Sequence, residues 1–255
     1  MRPSLFLSHG TPWLTIEDNG YTEFLKEYVA QHERPDAIVI ISSHWNRCDQ
    51  AVSAVKKHDI SCDFIGHPDK VTQITYPAAG NIELSDQVLT LLSRVDIFGE
   101  FDENRPLDYG SWVPLHIMYP EADIPVVSLS INPTLSLAKQ YEIGKSLAAL
   151  KEENVLIIAS GGIVYNLDHI QYEMNVVEGW AIRFVEWIEE YVMNWNLKAL
   201  FQFQEEAPFA FDAVPNISEL IPLIIAMGTG DEQRTPTLLH RSFQFGNVSL
   251  SAFEF

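Results

Sequence analysis

The sequence predicts an α/β fold: a single domain on a mostly parallel central sheet, with helices on both faces and a C-terminal hairpin. Three observations predict it. Short apolar runs bounded by turn residues alternate with longer segments of helical periodicity. No linker, low-complexity block or repeat interrupts the 255 residues. The last stretch alternates polar and apolar residues about a Gly-Asn turn.

The first run, Leu5 to Leu7, is apolar throughout and too short for a helix, as expected of a strand covered on both faces. Ala37 to Ile41, Pro125 to Ser130 and Val155 to Ala159 read the same way. Between them, helical patterns are predicted near Thr22 to Gln31, Ser85 to Ser93 and Leu135 to Leu150, the last after Asn132-Pro133-Thr134 as a start signal. From Val177 to Trp195, the residues Trp180, Phe184, Trp187, Ile188, Tyr191 and Trp195 recur at helical spacing while Glu186, Glu189 and Glu190 fall elsewhere, so those aromatics are expected in the core. Phe243 to Phe253 closes the chain as a hairpin turning at Gly246-Asn247.

Composition narrows the function classes. At 47% apolar residues the chain can bury a sizeable core as one domain over 1–255. Its 35 acidic and 16 basic residues give a net charge of −19, which repels phosphate backbones and anionic lipid surfaces; neither nucleic acid nor membrane is an expected partner. Cys48 and Cys62 form no CxxC pair and no disulfide framework. The N-terminus reaches His9 before a signal-peptide apolar region develops, and no 18-residue apolar run follows. A cytoplasmic protein is expected, and its oligomeric state is not set by the sequence.

In open α/β sheets ligands bind beyond the carboxyl ends of the strands. Three runs end in Ser8-His9-Gly10-Thr11-Pro12, Ser42-Ser43-His44-Trp45 and Ser160-Gly161-Gly162-Ile163-Val164-Tyr165-Asn166-Leu167. A lone histidine is more often structural than a ligand, but His9 and His44 both follow strands expected to be central and can converge on one ion. Glycine-rich phosphate loops, HExxH and GxSxG are absent, and Gly228-Thr229-Gly230-Asp231 is too short a cluster to count. For most of His32, His58, His67, His116, His169 and His240, packing or surface roles are favoured.

Over nearly its whole length the chain resembles the class III extradiol ring-cleavage dioxygenases, in particular the DOPA extradiol dioxygenase branch. The residues that carry the resemblance are Ser8 to Pro12, Ser43-His44-Trp45, Leu107-Asp108-Tyr109-Gly110-Ser111-Trp112-Val113-Pro114-Leu115 with Met118-Tyr119-Pro120, Ser160 to Leu167, and Leu220-Ile221-Pro222-Leu223. The resemblance implies a metal in the cleft, ferrous iron in an active enzyme or zinc, and oxygen-dependent opening of a catechol-type aromatic substrate. His9 and His44 match two metal-binding histidines of the family. Tyr109 and Tyr165 stand where DOPA-type members carry histidine, and Glu219 stands at a third histidine position. Glutamate there resembles the protocatechuate branch, so the implied ligands are His9, His44 and Glu219, a facial triad with open positions for catecholate and dioxygen.

The tyrosines imply catalytic roles by position, yet phenol titrates near pH 10 against about 6.5 for imidazole, so an unshifted tyrosine is only about 0.1% ionised at neutral pH. A nearby cation could lower that pKa or bind the phenolate, and His67 or His169 could replace a missing histidine. Two other readings stay open: a family member without catalysis that serves as a metal- or ligand-binding module, and a metal-assisted hydrolase.

Overall fold

The computed structural model describes residues 2–61, 69–170 and 176–255. Within them the strands are β1 (Leu5–Ser8), β2 (Ala37–Asn46), β3 (Gln50–Ser53), β4 (Gly99–Asp102), β5 (Val126–Ile131), β6 (Val155–Gly161), β7 (Thr237–Gln244) and β8 (Val248–Glu254). The helices are α1 (Gly20–Gln31), α2 (Asp69–Thr72), α3 (Ile82–Ser93), α4 (Tyr109–Met118), α5 (Leu137–Leu147), α6 (Gly179–Met193), α7 (Leu197–Phe201), α8 (Phe203–Glu206), α9 (Ala210–Ala213) and α10 (Ile221–Thr229).

The strands form one sheet in the order β4-β3-β5-β2-β6-β1-β8-β7. Its centre, β5-β2-β6-β1, is parallel, with Ile38 opposite Val126 and Leu156, and Leu5 opposite Ile158. Antiparallel pairs flank it, β3 against β5 on one side and the β7–β8 hairpin against β1 on the other. Because side chains alternate across a strand, each apolar run serves two cores. Leu5, Leu7, Ile38, Ile40, Leu156 and Ile158 pack with α1 and α4. Phe6, Val39, Ile41, Ile157 and Ala159 pack with α3, α5, α6 and α10 on the other face. Double coverage is why the central strands are apolar without alternation.

Local chemistry sets the helix starts. Asn19 accepts from the Tyr21 and Thr22 amides at 3.0 Å while Thr22 reaches back to the Asn19 amide, a capping box that begins α1. The expected helix from Leu135 to Leu150 is α5 followed by a 3-10 segment, Ala148–Glu153, and its cap is Ser136 rather than the Asn132-Pro133-Thr134 signal. Asn132 instead accepts from Thr134 within the preceding loop and from Gln140 of α5.

The aromatic stripe of α6 packs differently from expectation. Ala181, Phe184, Val185, Ile188 and Val192 form the buried face, while Trp180, Trp187, Tyr191 and Trp195 lie half-buried at its margins. Glu189, off the aromatic stripe, is nevertheless buried and accepts from Arg241 Nη1 at 2.9 Å. The tryptophans and Tyr191 take the rim, where space is open, while Phe184 and the aliphatic residues fill the seam.

The helix α4 was not anticipated from periodicity because it is apolar on nearly every side and contains Pro114. Proline has no N–H to give the carbonyl of Gly110, and that carbonyl accepts from the Ser160 hydroxyl instead. A strand end thus supplies the bond that the helix lacks. β3 and β4 carry no sequence signal: Gln50–Ser53 and Gly99–Asp102 lack the continuous apolar run that marks β1. No helix among the described residues is long and apolar enough to cross a membrane.

Candidate metal centre

His9 follows β1 directly, whereas His44 lies within β2, which runs five residues past the expected end at Ile41. Its register with β5 shifts between Ile41 and Asn46, so the last part of the strand turns away from the ladder. Glu219 ends a 3-10 turn, Ile217–Glu219, just ahead of α10. Its backbone is held by β6: the Gly162 amide donates to the Glu219 carbonyl at 2.9 Å, and a Cβ on Gly161 would lie 2.3 Å from the same oxygen. The bare glycine backbone is what lets this turn reach the strand ends.

These elements bring the three expected ligands together. Donor atoms of His9, His44 and Glu219 all lie within 4.8 Å of one another. His9 Nε2 is 3.0 Å from His44 Nε2 and 3.8 Å from Glu219 Oε2. Glu219 Oε2 also accepts from the Ser43 hydroxyl at 2.9 Å. Burial sets the electrostatics. It pushes His9 well below the ordinary imidazole range, with His44 adding to the effect. Burial raises Glu219 above the ordinary carboxylate range, against opposing help from His44 and Ser43. The His9–Glu219 approach is therefore not a formal ion pair, because the imidazole is neutral there.

A divalent ion suits this donor set. Ligands about 2.1 Å from an ion and at right angles to each other stand about 3.0 Å apart, as the two Nε2 atoms do. Two imidazoles and a buried carboxylate match the donor set of an N₂O facial triad. His9 Nδ1 is buried without a partner among the described residues, so Nε2 is the nitrogen committed to the cluster.

Tyr109 and Tyr165 are brought to the same place. Their hydroxyls are 3.1 Å apart, and their ring centroids lie 5.6 and 5.1 Å from that of His9. The Tyr109 ring is 4.1 Å from that of His44. Burial first, then Tyr165 and the carboxylates of Glu219 and Asp108, raise the Tyr109 phenol far above its ordinary range, so without a cation it is a hydrogen-bond donor and not a base. His169, a candidate replacement, is exposed against Trp180 and stands outside this group. His67 lies outside the described residues.

Several site residues were missed in sequence. Asp108 caps α4, accepting from the Ser111 amide at 3.1 Å and from Ser42 Oγ at 2.6 Å. Ser42 in turn accepts from the His44 amide at 3.1 Å. Arg105 bonds Asp108 and lies 4.8 Å over the Trp45 ring. At Gly110 an added Cβ would come within 2.8 Å of His44 Cδ2, so α4 begins against the His44 ring. The available signal was an Asp ahead of a helix and a Ser pair ahead of His44, both common elsewhere.

Comparison with known proteins follows the same lines. The family described as catalytic LigB subunit of aromatic ring-opening dioxygenase matches residues 3–254. The 4,5-DOPA dioxygenase extradiol of Beta vulgaris is 34% identical over 259 residues, covering 100% of this chain and 97% of its own. The protein of the same description from Escherichia coli K12 is 31% identical over 253 residues, covering 97% and 92%. A crystal structure of an uncharacterized Escherichia coli K12 protein superposes with a TM-score of 0.84 at 28% identity, over 100% of both chains.

Proposed function

The chain belongs to the LigB family of aromatic ring-opening dioxygenase catalytic subunits, and on that premise we propose that it opens a catechol-type ring with dioxygen at a metal held by His9, His44 and Glu219. The observation that carries this reading is the convergence of the three donor atoms within 4.8 Å of one another. Residues 1–255 act as one catalytic domain. The substrates are a small aromatic diol and dioxygen, and the cytoplasmic setting read from the sequence is kept.

Ferrous iron, with zinc as the alternative occupant, would serve there as a Lewis acid that templates catecholate and dioxygen together. The remaining work falls to the chain. Glu219 offsets cation charge in a buried place, and Ser43 orients its carboxylate. Asp108 and Ser42 hold the start of α4 and the His44 backbone in register. Tyr109 and Tyr165, whose hydroxyls lie 3.1 Å apart beside the histidines, donate hydrogen bonds to the catechol oxygens. Neither replaces imidazole as a base near neutral pH.

That handicap favours one second reading, a member that binds metal and ligand without turnover. Metal analysis of anaerobically purified protein, followed by oxygen uptake with a panel of catechols, decides between them. Uptake with a yellow ring-cleavage product supports the dioxygenase. Stoichiometric metal without uptake supports the binding module.

A further inference from the structure

The tyrosine pair resembles the histidine pair in one measurable respect. Two nitrogens stand 3.0 Å apart and two phenol oxygens 3.1 Å apart, and each spacing suits adjacent ligands of one ion. The four rings pack together: His9 meets both tyrosines in T-shaped pairs, and His44 lies 4.1 Å from Tyr109 in a tilted pair. Resting on the metal reading above, we infer that when the ion is ferric, Tyr109 and Tyr165 bind it through their phenol oxygens, turning the N₂O triad into an N₂O₃ set.

Charge supports this assignment. Glu219 supplies one negative charge and two bound phenolates supply two more, which together neutralise a trivalent ion in a site where His9 and Glu219 are both buried. Oxygen donors of this kind suit hard, highly charged ions. As each oxygen binds, its proton passes to water and no electron is exchanged, so the step balances with ferric iron as the sole reagent. A divalent ion gains less from two additional anions, because a second phenolate leaves excess negative charge buried. The pair thus distinguishes oxidation states: the phenols hydrogen-bond substrate over ferrous iron and coordinate ferric iron. It follows that the oxidised resting form is stabilised relative to relatives with histidine at both positions.

The test loads metal-free protein with one equivalent of ferric iron, in the absence of catechol. A broad visible absorption with phenolate vibrations in the resonance Raman spectrum is expected. Tyr109→Phe and Tyr165→Phe should each weaken the band, and the double variant should abolish it at equal iron content. Iron-loaded wild type that is colourless overturns the inference and leaves the triad standing. So does a band unchanged in the double variant. Wild type that takes up no iron overturns the metal reading and the inference together. The Raman measurement on wild type decides even where a variant fails to fold.

Discussion

Gly161→Ala should weaken metal binding while leaving the fold in place. The added methyl carbon would sit 2.3 Å from the Glu219 carbonyl oxygen and 3.1 Å from Pro222 Cγ. Ordinary carbon–oxygen contact begins near 3.4 Å, so the turn carrying Glu219 must retreat by about 1 Å. That retreat also stretches the 2.9 Å bond from the Gly162 amide to the same carbonyl. Metal sites tolerate ligand displacements of about 0.2 Å, so a shift several times larger moves the carboxylate out of place. Disturbing groups that orient ligands typically costs about 10–100-fold in metal affinity, and overpacking costs about 1–3 kcal/mol of stability. Chelator competition with zinc or ferrous iron measures the first, and urea unfolding of metal-free protein the second. A folded Gly161→Ala protein with unchanged affinity would refute the idea that the end of β6 sets the position of Glu219.

Other consequences can be checked separately. His9→Ala with His44→Ala should bring bound metal to background by elemental analysis, and full occupancy in that double variant would remove the proposed site. Tyr109→His with Tyr165→His should raise catechol turnover near neutral pH toward the roughly 10²–10⁴-fold that acid–base catalysis contributes, measured by oxygen uptake; wild-type turnover already equal to histidine-bearing relatives would contradict the handicap assigned to the phenols. Burial raises Glu189 above the ordinary carboxylate range, with Arg241 partly opposing. Its contribution to stability is therefore fully present below the unfolded carboxylate value and lost as pH rises through the raised folded value. Glu189→Gln should match wild type in urea at pH near 4 and exceed it at neutral pH; a wild-type advantage that grows with pH would show that the Arg241 pair outweighs burial.

Much of this architecture is legible in sequence because a doubly covered parallel sheet leaves an unmistakable trace. The runs beginning at Leu5, Ala37, Pro125 and Val155 are β1, β2, β5 and β6 to within a few residues, apart from the extension of β2 through His44. The C-terminal hairpin is likewise readable from its alternation and turn. What escapes is what depends on partners distant in sequence. α4 has no polar face to mark its period, and its proline is tolerated only because Ser160 lies against it. The residues proposed to hold metal, His9, His44 and Glu219, could be named from sequence, while the groups around them could not. Ser42, Ser43 and Asp108 are common loop and strand residues until a folded chain sets them beside that cluster.

The order of strands also constrains the history of each molecule during synthesis. β1, made first, has as its neighbours β6 and β8, whose partners for Leu5 are Ile158 and Glu254. At translation rates of roughly 5–20 residues per second, tens of seconds can separate the emergence of His9 from that of Glu219. Until β6 emerges, late in that interval, the first strand has apolar side chains and unpaired backbone groups with no native place to go. Contacts so remote in sequence make folding slow and expose the nascent chain to association with others. A metal ion arriving early would meet one or two histidines without the carboxylate, so the proposed site can be complete only after Glu219 has left the ribosome.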